Sequence, residues 1–186
     1  NAWEVESADI MASNEIHDIS VALGLDPGSD NLERLRYHKV CILADADSDG
    51  NHIATLLLTF IYRHLPQLIS NGKVFLAQPP LYRVDIGKET HWALDDAHRD
   101  AIVKKHGKPG PGKATPEIAR FKGLGEMMPK VLWETTLNPK TRRILRVDIT
   151  DQIVTDRVIN DLMGKDASAR FRFIMERAEE AEQLDV

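Results

Sequence analysis

The stretch CILADADSDGNHIATLL, residues 41–57, decides the fold. An apolar run of strand length leads into it, and an apolar run of helical length follows Asn51. Between the two runs, Asp45, Asp47 and Asp49 alternate with small residues. The pattern predicts a buried strand that passes directly into a buried helix, as in an α/β fold built on a parallel sheet.

A calcium-binding loop of the EF-hand type fits the aspartates only in part. Asp45, Asp47, Asp49 and Gly50 match its first half. The position that requires a bidentate Glu is Leu56, and the preceding segment has the pattern of a strand rather than a helix. We therefore exclude this type of site.

A magnesium site is the second interpretation. Sites of α/β folds lie at the carboxyl ends of the strands, and alternate residues of an extended chain point the same way. We expect Asp45 and Asp47 to converge, with Asp49 close behind, and oxygen-only ligands favour Mg²⁺. Gly50 is expected to allow a sharp turn into the helix, with Asp49 or Asn51 as its N-cap. An acidic turn on a solvated edge remains the alternative.

The rest of the chain alternates strands with helices. Ser13 and Gly24 are predicted to bound one helix, residues 31–39 a short second one, and Pro66 to interrupt the buried helix of residues 51–69. Strands are predicted in KVFLAQ, PPLYRVDI, HWALDD, EIARF and RRILRVDI, and helices in DDAHRDAIVKKHG and from Asp151 onward. The fold class predicted is α/β, with a parallel sheet flanked by helices and a mainly helical C-terminal extension.

Composition limits the class of protein. The 186 residues are 42% hydrophobic and 28% charged, as in soluble globular proteins. No apolar run reaches the ~20 residues of a membrane helix, and the single Cys41 suits a reducing, cytoplasmic setting. Residues 104–146 hold 11 Lys and Arg against 3 Glu, a net charge of +8, whereas the whole chain carries −5. This basic segment indicates either a polyanion partner or a solvated surface.

Several motifs carry a resemblance to a known family. DADSDG after an apolar strand resembles the acidic motif of Toprim domains. RFKGLGEM (120–127), LWETTLNP (132–139), QPPLY (78–82) and HIATLLLTF (52–60) resemble, in the same order, the B subunits of bacterial type IIA DNA topoisomerases. Residues 43–50 and 17–37 are more similar to the topoisomerase IV branch, because gyrase sequences usually carry Val where Ser48 stands. Gyrase remains the second candidate.

The resemblance implies a domain division and a metal site. Residues 1–115 would form a Toprim domain without its N-terminal strand and glutamate motif, and residues 116–186 the tail with the KGLGEM turn. Asp45 would be the catalytic carboxylate, and Asp45, Asp47 and Asp49 the ligands of a two-Mg²⁺ site. No Glu-Gly dipeptide occurs, so we expect the upstream glutamate ligand to be absent and this chain alone to be inactive and a weak Mg²⁺ binder.

The resemblance also implies partners. These are double-stranded DNA and the A subunit of topoisomerase IV, which supplies the nucleophilic tyrosine, in an A2B2 heterotetramer that decatenates and relaxes DNA. ATP would bind only to an N-terminal domain outside this chain. The setting would be the bacterial cytoplasm, at the nucleoid, without membrane contact. A non-catalytic DNA- or partner-binding module and a stand-alone Toprim nuclease are the competing functions.

The turn RFKGLGEM and the basic strand after it are the predicted DNA-binding or partner-facing surface. Glycines allow close backbone approach to a phosphate or unusual dihedrals, and Glu126 is expected to begin the next helix. A turn shaped by geometry alone and a solvated strand edge are the alternatives. Met128 stands where the family often has Asn, a change expected to alter local packing. The residues of this surface are Arg120, Lys122, Gly123, Gly125, Glu126, Arg142 and Arg143.

Overall fold

A computed structural model of the chain describes residues 1–106 and 115–180. The α/β class predicted from the sequence is confirmed. The helices are α1 (Ser7–Ile10), α2 (Asn14–Leu23), α3 (Ser48–His64), α4 (Pro66–Ser70), α5 (Asp96–His106), α6 (Pro129–Leu132), α7 (Gln152–Met163) and α8 (Ala167–Glu176). The strands are β1 (Val40–Ile42), β2 (Val74–Ala77), β3 (Tyr82–Ile86), β4 (Glu89–Ala93), β5 (Glu117–Arg120) and β6 (Ile144–Arg146). Short 3₁₀ turns cover Leu124–Glu126 and Ala178–Glu180, and a π-helix covers Trp133–Leu137.

The chain forms two compact units. The first contains Asn1–Ile42, His52–Phe75 and the chain from Arg146 onward. Within this unit, Val40 N–H donates to the Lys73 carbonyl at 2.7 Å and Val147 N–H to the Val74 carbonyl at 2.9 Å, two bonds at the strands of the sheet ordered β1–β2–β6. Its buried apolar side chains include Leu23, Leu25, Ile42, Phe60, Ile61, Leu65, Leu68, Ile69 and Val74.

The second unit contains Leu43–Asn51 and Leu76–Leu145. Its antiparallel sheet has the order β4–β3–β5, with Val84 of β3 opposite His91 of β4 and Ile118 of β5. The β3–β4 hairpin turns through two residues, and Gly87 takes the positive φ of 65° that such turns require. Helix α5 covers this sheet and packs Ile102 and Val103 against its core. That core consists of Leu81, Tyr82, Val84 and Ala93.

The helix ends predicted at Ser13, Gly24 and Pro66 are confirmed. Ser13 caps α2 by accepting from Ile16 N–H, and Gly24 ends it. Pro66 begins α4 immediately after α3 stops at His64. Asp151 and Asp166 cap α7 and α8 through their carboxylates, as expected for helices after Asp151.

The short helix predicted over residues 31–39 is wrong, because this segment forms a single turn and then an extended chain. Leu35 N–H donates to the Leu32 carbonyl, but Arg36 N–H donates to the Leu23 carbonyl at 3.0 Å. A hydrogen bond to a residue distant in sequence thus replaces the bond that would continue the helix. Tertiary structure here outweighs the local helix propensity.

Among residues 1–106 and 115–180, none of the helices has the length and apolar character needed to cross a bilayer.

Candidate metal and nucleic-acid site

Asp45 is held by a backbone amide from the distant glycine turn. Its carboxylate follows β1 by three residues and is exposed. Its Oδ1 accepts a hydrogen bond of 2.8 Å from Leu124 N–H, although the two residues are 79 positions apart. The acidic strand end and the KGLGEM turn, which we expected to lie beside each other, therefore form one site.

Gly123 allows this contact because it has no side chain. A Cβ at Gly123 would lie 3.1 Å from Asp45 Oδ2 and 3.2 Å from Asp45 Cγ, closer than most real contacts of a Cβ. The φ of Gly123 is −153°, which is extended backbone open to any residue. The unusual dihedrals predicted for Gly123 and Gly125 are wrong, since the positive-φ glycines of the described chain are elsewhere. The close approach of Asp45 requires a glycine at position 123. Position 125 has no such requirement, because a Cβ added at Gly125 would meet no atom within 4 Å.

Asp47 caps α3. Its Oδ1 accepts from Gly50 N–H at 2.7 Å, and its carbonyl accepts from Asn51 N–H at 3.0 Å. The prediction that Asp49 or Asn51 caps this helix is wrong, because α3 begins at Ser48 and both residues already lie in its first turn. An N-cap carboxylate satisfies amides that have no partner within the helix.

Gly50 allows close packing where the chain turns from the strand end into α3. A Cβ at Gly50 would lie 2.0 Å from the carbonyl oxygen of Asp45 and 2.9 Å from its backbone nitrogen. The first turn of α3 thus lies directly against the backbone of Asp45. This contact fixes the position of Asp45 relative to the helix that Asp47 caps.

The three aspartates do not gather into one ready cluster. Over residues 1–106 and 115–180, the carboxylates of Asp45, Asp47 and Asp49 do not come within 4.8 Å of one another as a set. Asp49 is in the first turn of α3, so strand alternation stops before it. All three carboxylates are exposed, and their oxygens are the donors that Mg²⁺ prefers. The donor set therefore fits Mg²⁺ in its chemistry.

The KGLGEM turn is closed by its own acidic residue. Glu126 Oε2 accepts from Lys122 N–H at 2.8 Å, and Glu126 N–H donates to the Gly123 carbonyl at 3.2 Å. The prediction that Glu126 begins a helix is wrong, because it ends the 3₁₀ turn and α6 starts at Pro129. The side chains of Lys122 and Glu126 are exposed.

A small space of about 10 Å³ shows which segments pack around this turn. Ala46 contributes the strand end, and Pro79 and Pro80 contribute the QPP segment. Its remaining lining is Phe121, Lys122, Gly123, Leu124 and Met127. Three of the motifs that suggested the family thus meet at one place within the second unit.

The positive charge of Arg120 lies near the carboxylate of Asp96. Tyr82, which is opposite Arg120 in the sheet, donates a hydrogen bond of 2.7 Å to Asp96. That bond raises the pKa of Tyr82 and lowers the pKa of Asp96, and the positive charge of Arg120 lowers both. Part of the charge of Arg120 is therefore countered by Asp96.

Arg142 and Arg143 follow an unpredicted π-helix. Asn138 N–H donates to the Trp133 carbonyl at 2.7 Å, and Arg142 lies 3.5 Å from the Leu137 carbonyl. The exposed Arg143 helps to line a cavity of about 340 Å³. The π-helix contributes Glu134 and Thr135 to that cavity, and π-helices frequently occur at functional sites. Glu134 and Thr135 belong to the LWETTLNP motif, but no pattern in the sequence predicted that this motif forms a π-helix.

Met128 occupies the N-cap of α6 without capping it. Its side chain is 72% exposed, and the helix start has no side-chain cap. The expectation that Met128 alters local packing stays a prediction. An Asn at this position would supply a cap that Met cannot.

Comparison with known proteins identifies the class. Residues 7–79 match the family model of the Toprim domain, and residues 113–175 match the model described as DNA gyrase B subunit, carboxyl terminus. The first range contains the aspartates and the second contains the KGLGEM turn. The chain belongs to the B subunits of type IIA DNA topoisomerases.

Within this class the chain is similar to both topoisomerase IV and gyrase sequences, with slightly higher identity to the former. It is 49% identical to the B subunit of DNA topoisomerase 4 from Pseudomonas aeruginosa over 89% of its length, and 48% identical to that from Escherichia coli over 98%. It is 46% identical to the B subunit of DNA gyrase from Halalkalibacterium halodurans over 95% of its length. The chain spans 26%, 29% and 27% of these three relatives, respectively.

Proposed function

We propose that this chain is the Toprim and tail part of a topoisomerase IV B subunit and supplies Mg²⁺-binding carboxylates for DNA cleavage and religation. The observation that carries the proposal is the hydrogen bond from Leu124 N–H to Asp45 Oδ1 at 2.8 Å. It joins the acidic motif of one family match to the glycine turn of the other. A carboxylate held this way is preorganised, which is what a site that stabilises developing charge requires.

Asp45 is the proposed catalytic carboxylate, and Asp45, Asp47 and Asp49 are the proposed ligands of two Mg²⁺ ions. Bound Mg²⁺ supplies Lewis-acid stabilisation of the charge that develops on the phosphoryl and leaving oxygens. The chain's own contribution is positional. Leu124 N–H and the bare face of Gly123 orient Asp45, and the Asp47 cap fixes the start of α3 beside it.

The proposed DNA and partner surface is the turn with the basic residues after it. Lys122 and Arg143 are exposed and available to phosphates. Arg120 and Arg142 have protein groups beside them and are proposed to position neighbouring backbone as well. The proposed partners are double-stranded DNA and an A subunit with the nucleophilic tyrosine, in a cytoplasmic A2B2 assembly. ATP is proposed to bind a further domain of the complete protein, and residues 1–115 and 116–186 are the proposed division into Toprim domain and tail.

The test replaces Asp45 by Asn in the complete B subunit, combined with its A subunit. Asn retains an oxygen that can accept from Leu124 N–H, so the turn keeps its anchor while the site loses a negative charge. We expect Mg²⁺-dependent decatenation to fall by about 100-fold, the effect of removing one preorganised charge-stabilising group. Asp18→Asn is the matched control, because Asp18 is exposed and belongs to the first unit.

Undiminished decatenation by the Asp45→Asn variant contradicts the proposal. Loss of DNA binding without any effect on cleavage of bound DNA instead favours a non-catalytic DNA-binding module. Supercoiling activity of the assembled enzyme with a gyrase A subunit favours the gyrase branch.

A further inference from the structure

A second group of metal-ligand side chains lies on β4 and at the end of α5. Glu89 and His91 are two residues apart on β4, so their side chains leave the same face of the strand. His91 is opposite the fully buried Val84, and residues directly opposite in an antiparallel pair share a face. That face is the one that α5 covers.

Helix α5 returns along β4 and ends near its beginning. It starts at Asp96, three residues after β4 ends at Ala93, and its 11 residues have a length of about 16 Å. The four steps of β4 span about 13 Å, so the last helical residue reaches the Glu89 end of the strand. That residue is His106, and its ring centroid lies 4.6 Å from the ring centroid of His91.

The three side chains converge on one point. One ligand atom each from Glu89, His91 and His106 lies within 4.8 Å of the other two, and Glu89 Oε2 is 3.5 Å from His91 Nε2. Four-coordinate Zn²⁺ has bonds of about 2.0–2.2 Å to nitrogen and oxygen, which places its ligand atoms roughly 3.5 Å apart. The ligand atoms of the three residues lie at most 4.8 Å apart, about 1 Å beyond that spacing.

His91 Nε2 has no hydrogen-bond partner within the described part of the chain, although the atom is buried. The carboxylate of Glu89 lies near it but not in the geometry of a hydrogen bond. A buried polar atom without a partner is unfavourable, and coordination of a metal through its lone pair removes the penalty. The unpartnered nitrogen thus lies 3.5 Å from Glu89 Oε2 and belongs to one of the three residues that could hold a metal.

The ligand atoms of Glu89, His91 and His106 differ chemically from those of the aspartate site. Two imidazoles and one carboxylate suit Zn²⁺ and related borderline cations, whereas Mg²⁺ prefers oxygen alone. A cation at the last turn of α5 also faces the negative end of the helix dipole. Lys104 and Lys105 lie in the same turn and oppose a cation, but both side chains are exposed to solvent, which screens them. Glu89, His91 and His106 all lie outside the two ranges matched by family models, residues 7–79 and 113–175.

We propose that Glu89, His91 and His106 bind one Zn²⁺, with a water in the fourth position, and that this ion ties the end of α5 to the beginning of β4. The cross-link stabilises the second unit, because a ligand that binds only the folded state raises its stability. The alternative for the same contacts is a Glu89–His91 ion pair with two imidazoles in contact and no metal. Only the first account predicts that Zn²⁺ binds with a defined stoichiometry and raises the melting temperature.

The test measures Zn²⁺ binding to the intact chain by calorimetry after chelator treatment, with excess Mg²⁺ present to occupy the aspartates. We expect one Zn²⁺ per chain and a rise in melting temperature on its addition. His91→Ala and His106→Ala should each lower the affinity by more than about 100-fold, because both remove a direct ligand and even outer partners of ligands cost 10- to 100-fold. His38→Gln, which removes an exposed imidazole of the first unit, should bind as the unchanged chain does.

His106→Cys keeps the test decisive if the alanine variants fold poorly, because thiolate is itself a zinc ligand. This variant should bind Zn²⁺ with one-to-one stoichiometry, and Co²⁺ in its place should give the absorption of a thiolate–cobalt bond. Absence of stoichiometric Zn²⁺ binding by the unchanged chain overturns the proposal. Equal loss of binding in His38→Gln, or loss in Asp45→Asn in place of His91→Ala, overturns it as well.

Discussion

Replacement of Gly50 by Ala should destabilise the protein although Gly50 is helical. In a helix, Gly→Ala normally stabilises by up to about 1 kcal/mol. Here the new Cβ would lie 2.0 Å from the Asp45 carbonyl oxygen, 2.8 Å from its carbonyl carbon and 2.9 Å from its nitrogen. All three are backbone atoms, so no side-chain rotation relieves the overlap. Overpacking of this kind costs about 1–3 kcal/mol, and we expect the upper part of that range, a loss of about 2 kcal/mol after the gain in helix propensity.

The assay is urea denaturation followed by circular dichroism, with Gly125→Ala as the matched control. A Cβ at Gly125 meets no atom within 4 Å, so its substitution should change the free energy of unfolding by less than about 0.5 kcal/mol. A Gly50→Ala protein as stable as the unchanged chain, or more stable, would refute the close packing of α3 against Asp45.

Three further predictions concern single side chains. Met128→Asn should raise the free energy of unfolding by about 1 kcal/mol, because Asn can cap α6 where Met does not, and urea titration showing no gain would contradict the assignment of the N-cap. Burial lowers the pKa of His64, so the folded state favours the neutral ring; its contribution to stability is complete above the ordinary value of 6.5 and is lost as the pH falls below it. The melting temperature of His64→Gln should therefore depend less on pH in this range, and an unchanged dependence would exclude His64 as its source. Burial, reinforced by the hydrogen bond to Asp156, raises the pKa of Tyr62 to about 12, so its contribution is present below pH 10 and is lost between pH 10 and about 12. Tyr62→Phe should remove both this loss of stability and the late ionisation step in an absorbance titration.

Features determined by neighbouring residues could be predicted from the sequence. Ser13 and Gly24 bound α2 and Pro66 starts α4, because caps and proline act within one helical turn. The acidic start and basic end of α5 were likewise visible as a pattern. The segment of residues 31–39 failed because a bond from Arg36 to Leu23 outweighs its weak helical preference.

The aspartate site was predictable in its residue types and not in its geometry. Alternation along a strand suggested that Asp45 and Asp47 converge with Asp49 close behind, but α3 starts at Ser48 and gives each aspartate a different backbone setting. The approach of Leu124 to Asp45 crosses 79 positions, and no local pattern encodes such a contact. Only the resemblance of both segments to one family suggested that they lie at the same site. The histidines of β4 and α5 were missed because neither carries a motif, and only the return of the helix brings them together.

The partner that holds Asp45 is a main-chain amide, and this has an evolutionary consequence. Every amino acid except proline provides that donor, so mutations that change the side chain at position 124 leave the anchor in place. Substitutions at position 124 can therefore change the outer surface of the turn without releasing the Asp45 carboxylate. Over evolutionary time, the side chain at position 124 should vary far more readily than Gly123, where a Cβ would lie 3.1 Å from Asp45 Oδ2.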